Sequence, residues 1–259
     1  MPAITLKSAR EIALMRKAGL VVWEAHQAAA ALVRPGATTS EIDAAIESVF
    51  QKHEAIPLFK GVPGVTPFPA ATCASVNEEV VHGIPGPRKL VEGDILSLDT
   101  GCKVNGWCGD AAVTHPVGEV SPIAAKLLEI TSGALQVAID QMPRKSRWSE
   151  VAREMQEYVE AADLAVVTEF VGHGIGREMH EAPQVPNYFS KRFLKDGDFP
   201  LRTGLVLAVE PMVNVGKREA KVTKDHWTVV TCDGSLSAHF EHTLALTSDG
   251  VEILTGPPN

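Results

Sequence analysis

The dipeptide Asn105-Gly106 constrains this chain more than any other pair of residues. Both residue types tolerate positive φ, which a two-residue hairpin turn demands. The flanking text, residues 93–114, reads GDILSLDTGCKVNGWCGDAAVT. Residues 94–99 alternate polar and apolar, as a half-buried strand does. A two-residue turn fixes the register, so Val104 pairs with Trp107, Asp99 faces Ala112 and Asp110 faces Gly101. Side chains two apart on a strand share a face. Asp99 and Asp110 are then diagonal neighbours on one face, roughly 7–8 Å apart at the backbone. On a buried face such carboxylates repel unless a cation lies between them; on an open face they are simply solvated. The hairpin alone leaves both readings open.

The 259 residues suit one large α/β or α+β domain, or two half-sized ones, and 45% hydrophobic residues supply a substantial core. Lys plus Arg number 24 against 32 Asp plus Glu, a net charge of −8 that argues against a nucleic-acid partner. Cys73, Cys102, Cys108 and Cys232 form no CxxC pair and no framework spacing. In the hairpin register Cys102 and Cys108 point to opposite faces and should not bond to each other. Reduced thiols and a cytoplasmic location are expected. Lys7, Arg10 and Glu11 interrupt the first residues before any apolar run, so no signal peptide is expected. No apolar run is expected to reach the ~20 residues of a membrane span.

Ser8 and Glu11 form a capping box for a helix with apolar Ile12, Met15, Val22 and Ala29, expected to run to about Val33 before Arg34-Pro35-Gly36. Thr39 or Ser40 is expected to cap a second helix reaching about Glu54, with Ile42, Ile46 and Val49 on one face. His26 and His53 on these helices read as solvated. Residues 58–71 are rich in Gly and Pro and predict an irregular loop, followed by strand or turn at residues 72–82. Pro122 opens a third helix to about Gln141, and a fourth spans residues 148–162. Strands are expected within residues 165–172, 204–215, 227–230 and 238–254, the last with a turn at Asp249-Gly250.

The chain hints at duplication. Each half has two helices followed by strands. PGATTSEI at residues 35–42 parallels PRKSRWSEV at residues 143–151. GDILSLD, residues 93–99, parallels GLVLAVE, residues 204–210, each placing a carboxylate six residues after a glycine. Two related halves would deliver carboxylates to a shared site.

His173 lies between glycines in GHGIGREMHEAP, residues 172–183, where backbone can approach closely and core packing explains the ring poorly. A phosphate-binding glycine loop is disfavoured there, because Pro183 arrives too soon for a long helix. Glu210 ends an apolar strand, and Glu241 interrupts another. Either one alone reads as a rim carboxylate. With Asp99, Asp110 and His173 they form a set of four carboxylates and one imidazole. That set suits divalent manganese, iron, cobalt or zinc and is too carboxylate-rich for a structural zinc site. Four carboxylates can also bridge two ions and activate water.

The order Asp99, Asp110, His173, Glu210, Glu241 resembles the metal set of the pita-bread metallopeptidases. SVNEEVVHGIP (residues 75–85), GHGIGREMHE (172–181), EPMVN (210–214) and SLSAHFEHT (235–243) resemble the type I methionine aminopeptidases, over nearly the whole chain. The resemblance implies an α+β pita-bread fold, with a central antiparallel sheet flanked by helices. One catalytic domain, residues 1–259, would comprise pseudo-twofold halves at about 8–118 and 119–254. It implies two divalent ions, of cobalt, manganese, iron or zinc. Asp99 and Asp110 would hold one ion, His173 and Glu210 the other, with Asp110 and Glu241 bridging. Water between the ions would attack the carbonyl of the N-terminal methionine. Glu210 would be general base as well as ligand. His180 would hydrogen-bond the scissile carbonyl, and His82 would contact substrate near the scissile amide. Phe68, Cys73, Met179 and Trp227 would line the methionine pocket; on sequence alone, Phe68 and Trp227 read as core aromatics. The implied partners are the N-terminal methionine of peptides and nascent chains, before a small second residue. The enzyme would be a cytoplasmic monomer in transient ribosome contact, with no nucleic-acid or membrane partner.

Three features depart from the family pattern. Met179 stands where an aromatic is frequent, His239-Phe240 replaces the commoner Gln-Tyr, and the loop at residues 61–69 looks longer. These bear on side-chain preference more than on metal chemistry. The rival readings are a proline-directed relative, a non-catalytic adaptor and a hydrolase of small amides. The first would carry a large extra N-terminal domain, for which a helix starting at Ser8 is expected to leave no room. The second would have lost ligands.

Overall fold

The computed structural model describes residues 3–258. Ser8 caps α1 (Ala9–Ala30). Its N–H donates to Glu11 Oε2 at 2.8 Å, and the Glu11 N–H donates back to Ser8 Oγ at 3.4 Å. The helix buries Ile12, Met15, Val22 and Ala29 and ends three residues before Val33. The cap of α2 (Thr39–Lys52) is Thr38, not Thr39 or Ser40. Glu41 decides this: it lies three residues beyond Thr38 and accepts the Thr38 N–H at 2.7 Å, closing a second capping box. His26 is not solvated. It lies 4% exposed beneath α1, where Nε2–H donates to the Ala111 carbonyl at 2.9 Å. His53 stays half-buried beside Glu24, at 2.7 Å.

Strand β1 (Ile56–Pro57) precedes the irregular loop. Next come β2 (Thr72–Val76), β3 (Glu79–Val81) and the long hairpin of β4 (Ile95–Val104) and β5 (Trp107–Pro116). Asn105 and Gly106 have φ of 51° and 78°, the pair a type I′ turn requires. Val104 pairs with Trp107, Asp99 with Ala112 and Gly101 with Asp110, as the turn predicts. One expectation fails: β4 is buried along nearly its whole length rather than half-buried. Leu96, Leu98 and Cys102 pack under α1 and α2, while the opposite face turns into a covered cavity. All four cysteines are unbonded, Cys232 alone being exposed.

The second half opens with α3 (Pro122–Gln141) and α4 (Trp148–Glu160), followed by β6 (Ala165–Val166) and β7 (Gly172–Gly174). By length and composition α3 meets the requirement for a membrane span, contrary to the sequence reading. Its buried stripe of Ala124, Leu127, Thr131, Ala134, Leu135 and Ala138 is core, and Lys126, Glu129 and Asp140 are exposed. Then follow β8 (Glu181–Val185), α5 (Lys191–Asp196), β9 (Val206–Val209), β10 (Met212–Asn214) and β11 (Ala220–Val222). The chain ends with β12 (Val229–Thr231), β13 (Ser237–His239), β14 (Glu241–Thr247) and β15 (Gly250–Ile253). The short elements β8, α5 and β11 were not expected, since three to six residues carry no readable period. Trp227 lies before β12 rather than in a strand.

The main sheet runs β1-β4-β5-β14-β9-β7-β8, with β2 also on β4 and β15 on β14. All its pairings are antiparallel. The expected duplication is visible around the β5–β14 seam: β4 flanks one side and β9 the other. Gly93 and Gly204, which precede β4 and β9, have matching φ of 91° and 93°. Thr38 and Arg147 match too, each N–H meeting the glutamate three residues on, at 2.7 and 2.9 Å. Each helix pair covers its own half of the sheet. Ile42, Ile46 and Phe50 meet Leu96 and Leu98; Trp148, Val151 and Met155 meet Leu207 and Leu244. The result is the expected α+β arrangement.

Helix α1 crosses β5 where Gly109 offers no side chain: a Cβ there would lie 2.8 Å from the Gly19 backbone nitrogen. Gly109→Ala should therefore destabilise the protein by about 1–3 kcal/mol through overpacking, read as a lower denaturant midpoint. An unchanged midpoint would contradict this packing.

Candidate metal centre and substrate pocket

Five side chains from four strands and one strand end converge on one cavity of ≈280 Å³. Asp99 comes from β4, Asp110 from β5 and His173 from β7. Glu210 directly follows β9, and Glu241 opens β14. The seam is fastened at this point: the Asp110 N–H donates to Thr243 Oγ1 at 3.1 Å, and the Thr243 hydroxyl donates to the Asp110 carbonyl at 2.8 Å. His173 needs its two glycine neighbours. A Cβ at Gly172 would meet the Ala208 carbonyl oxygen at 2.3 Å, and one at Gly174 the Ala182 oxygen at 2.2 Å. Only bare backbone lets β7 lie this close to its neighbours.

His173 Nδ1 lies 3.0 Å from the Gly174 carbonyl oxygen. A carbonyl only accepts, so the proton is on Nδ1 and the Nε2 lone pair is free. That lone pair faces Glu210 Oε1 at 3.6 Å and Asp110 Oδ2 at 4.0 Å. When the carboxylates are ionised, electron-rich atoms therefore confront one another with no proton between them. Asp110, His173 and Glu241 each place a donor atom within 4.8 Å of the others, and so do Glu210, His239 and Glu241. Asp99 lines the same cavity outside these two tight groups.

Burial pushes the Asp110 carboxyl up to about 7. Burial, and then the neighbouring carboxylates, drive Asp99, Glu210 and Glu241 well above the carboxylate range. No lysine or arginine lines the cavity among the described residues. Burial holds the histidines neutral, with His82 and His173 lowered to about 4 and His239 to about 3. Asp99 Oδ1, Asp110 Oδ1 and Glu241 Oε1 are buried without a hydrogen-bond partner among the described residues. Buried anionic oxygens left bare are costly. A hard or borderline divalent cation fits this donor set and removes the cost.

Next to the carboxylates lies an apolar compartment. Phe59, Phe68, Ala70 and Cys73 are buried together, with Val62, Met179 and Trp227 packed on them. Phe68 meets Trp227 edge-on at 5.2 Å, and Trp227 Nε1–H donates to the Thr66 carbonyl at 2.8 Å. Cys73 pairs directly with Asp99 across β2 and β4, so the apolar wall and the carboxylates share a border. Burial pushes the Cys73 thiol well up, and it stays neutral. His180 stands exposed at the mouth, its ring 4.3 Å from that of His173. His82 follows β3 at φ 60°, with its ring edge-on to Phe170 at 5.6 Å.

All eleven side chains singled out from the sequence line this one cavity. Sequence reasoning missed Phe59, Phe170 and His239, which line it too. His239 carried a signal, as a departure from the family pattern, but was not placed at the site. Phe59 and Phe170 carried none beyond their apolarity.

A carboxyl whose folded pKa is raised contributes stability below its unfolded pKa and loses it as pH rises through the folded value. In chelator-stripped protein, Asp110→Asn should therefore gain stability relative to wild type between about pH 4 and pH 7. The gain should approach about 1.4 kcal/mol per pH unit in denaturant titrations. A difference independent of pH would contradict the burial of this charge.

The sequence profile of metallopeptidase family M24 matches residues 13–248. The chain is 46% identical to methionine aminopeptidase 1 of Bacillus subtilis over 252 residues, covering 97% of this chain and 99% of that protein. It is 48% identical to a methionine aminopeptidase of Clostridium perfringens, covering 97% and 98%. The crystal structure of methionine aminopeptidase from Thermotoga maritima superposes with a TM-score of 0.91 at 43% identity, covering 98% of this chain and 99% of that one. The chain has the pita-bread fold and belongs to metallopeptidase family M24, among the type I methionine aminopeptidases.

Proposed function

We propose that this protein hydrolyses the peptide bond after an N-terminal methionine, with two divalent cations held by its carboxylate cluster. The observation that carries this is the shared border of Asp99 and Cys73. It sets an apolar compartment of aliphatic, sulfur-bearing and aromatic side chains against the cation-binding carboxylates. A methionine side chain seated there would bring its own backbone to the carboxylates. The thioether of Met179 and the neutral thiol of Cys73 suit a sulfur-bearing guest.

In this reading Asp99 and Asp110 would hold one cation and His173 and Glu210 the other, with Asp110 and Glu241 available to both. When bound, the cations polarise the scissile carbonyl and acidify water. Glu210 takes the proton from the attacking water and returns it as the carbon–nitrogen bond breaks, so the leaving chain departs as a neutral amine. His180, neutral at the cavity mouth, donates an N–H to the carbonyl oxygen as negative charge grows there. His82, edge-on to Phe170, contacts the substrate near the scissile amide. The family resemblance supports a small second residue and the exclusion of a bulky one. The natural substrates are nascent chains, met by a cytoplasmic monomer in transient contact with the ribosome; the resemblance supports this last part.

Chelator-stripped protein should release methionine from a Met-Ala-Ser peptide only when Mn²⁺, Fe²⁺, Co²⁺ or Zn²⁺ is restored. Release should be lost with Leu as the first residue and much reduced with Leu as the second. No release with any cation, from folded protein that binds one, would overturn the reading in favour of an adaptor. Glu210→Gln should retain the wild-type fold by circular dichroism and lose at least about a hundredfold in kcat, since it removes both a charge and the base. Turnover near wild type would exclude Glu210 as the base.

A further inference from the structure

Glu210 presents its two oxygens to two different histidines. Oε1 faces His173 Nε2 at 3.6 Å, and Oε2 faces His239 Nε2 at 3.8 Å. His173 has spent its proton on Gly174, so its Nε2 is a bare lone pair. His239 Nε2 is buried and has no hydrogen-bond partner among the described residues. We propose that His239 is a positioning residue for Glu210. As the Nε2–H tautomer it donates to Oε2 and leaves Oε1 to face the cation.

The backbone of His239 is built to hold such a position. Its N–H donates to Thr114 Oγ1 at 2.9 Å, and the Thr114 hydroxyl donates to its carbonyl at 2.7 Å. It pairs with Met212, two residues beyond Glu210, so the β10–β13 ladder ties histidine and glutamate to one frame. The 3.8 Å separation exceeds a normal N–H···O bond by about 0.8 Å. A buried carboxylate that gives one oxygen to a cation leaves the other in need of a donor, and His239 Nε2 is the unpartnered nitrogen beside it. The competing role is direct ligation, since Glu210, His239 and Glu241 also place donor atoms within 4.8 Å of one another. The split of the two oxygens favours positioning: Oε1 already meets a bare nitrogen, and Oε2 is the one that lacks a proton donor.

The inference rests on the proposed metal site, and its test separates the two. Long-range ¹H–¹⁵N correlation of the histidine rings reports where each proton sits, with His239 assigned by its loss in His239→Gln. The His239 proton should be on Nε2 before and after Zn²⁺ is added, while His173 Nε2 is unprotonated and shifts on Zn²⁺ binding. An Nδ1–H tautomer of His239, or an Nε2 that shifts with Zn²⁺ as that of His173 does, overturns the positioning role and leaves the metal site standing. No Zn²⁺ uptake and no shift at His173 overturns the metal site and the inference with it. Zn²⁺ affinity, measured by chelator competition, should fall about tenfold or more in His239→Leu and stay within about threefold in His239→Gln, which keeps an N–H donor. Wild-type affinity in folded His239→Leu would also overturn the proposal.

Discussion

Mutual repulsion among four carboxylates gathered in one cavity is the constraint on which the site depends. Asp110 and Glu241 hold donor atoms within 4.8 Å of each other, as do Glu210 and Glu241. At an effective dielectric constant near 20, each ionised pair that close repels by roughly 3–4 kcal/mol. Among the described residues no lysine or arginine enters the cavity to relieve this, and the histidines beside it are held neutral by burial. Protons can neutralise the cluster, but only by raising the carboxyls far above their usual range. Divalent cations neutralise it without that cost. The chain thus maintains a local instability whose natural complement is a metal.

The architecture delivers these charges by doubling one device. A strand after a left-handed glycine carries a carboxylate inward, once at Asp99 and once at Glu210. The partner strands add Asp110 and Glu241, and they meet at the seam fastened by Thr243. Each helix pair shields its own half of the sheet. Packing at the back supports the centre: α1 lies on β5, with Gly109 beneath Gly19 and His26 hydrogen-bonded to Ala111, next to Asp110. Apolar side chains from the loop at residues 58–71 and from Met179 and Trp227 then close one side into a compartment.

Much of this was legible in the residues because it is local. Asn105-Gly106 dictates its own turn, and the turn dictates the register of Asp99 and Asp110 over ten residue pairs. The glycines around His173 declare a close backbone approach. The Ser8–Glu11 capping box announces the first helix start, while at the second, Thr38 shows that the glutamate three residues on, rather than the last hydroxyl before the apolar run, locates the cap. What escaped the sequence is set by distant partners. His26 looked solvated because Ala111, the partner that buries it, is 85 residues away. His239 takes its place from Thr114, 125 residues earlier in the chain. The burial of β4 on both faces needed the cavity roof, which no alternation on a single strand can reveal. The apolar composition of α3 met a membrane criterion, although its buried stripe serves the core.

The central claim is that this carboxylate cluster exists to hold divalent cations. The most direct measurement is anomalous diffraction from crystals grown with Mn²⁺. The account predicts anomalous density among Asp99, Asp110, His173, Glu210 and Glu241, at coordination distance from their side-chain oxygens and nitrogen. Ordered carboxylates in a Mn²⁺-equilibrated crystal with no anomalous density between them would contradict it.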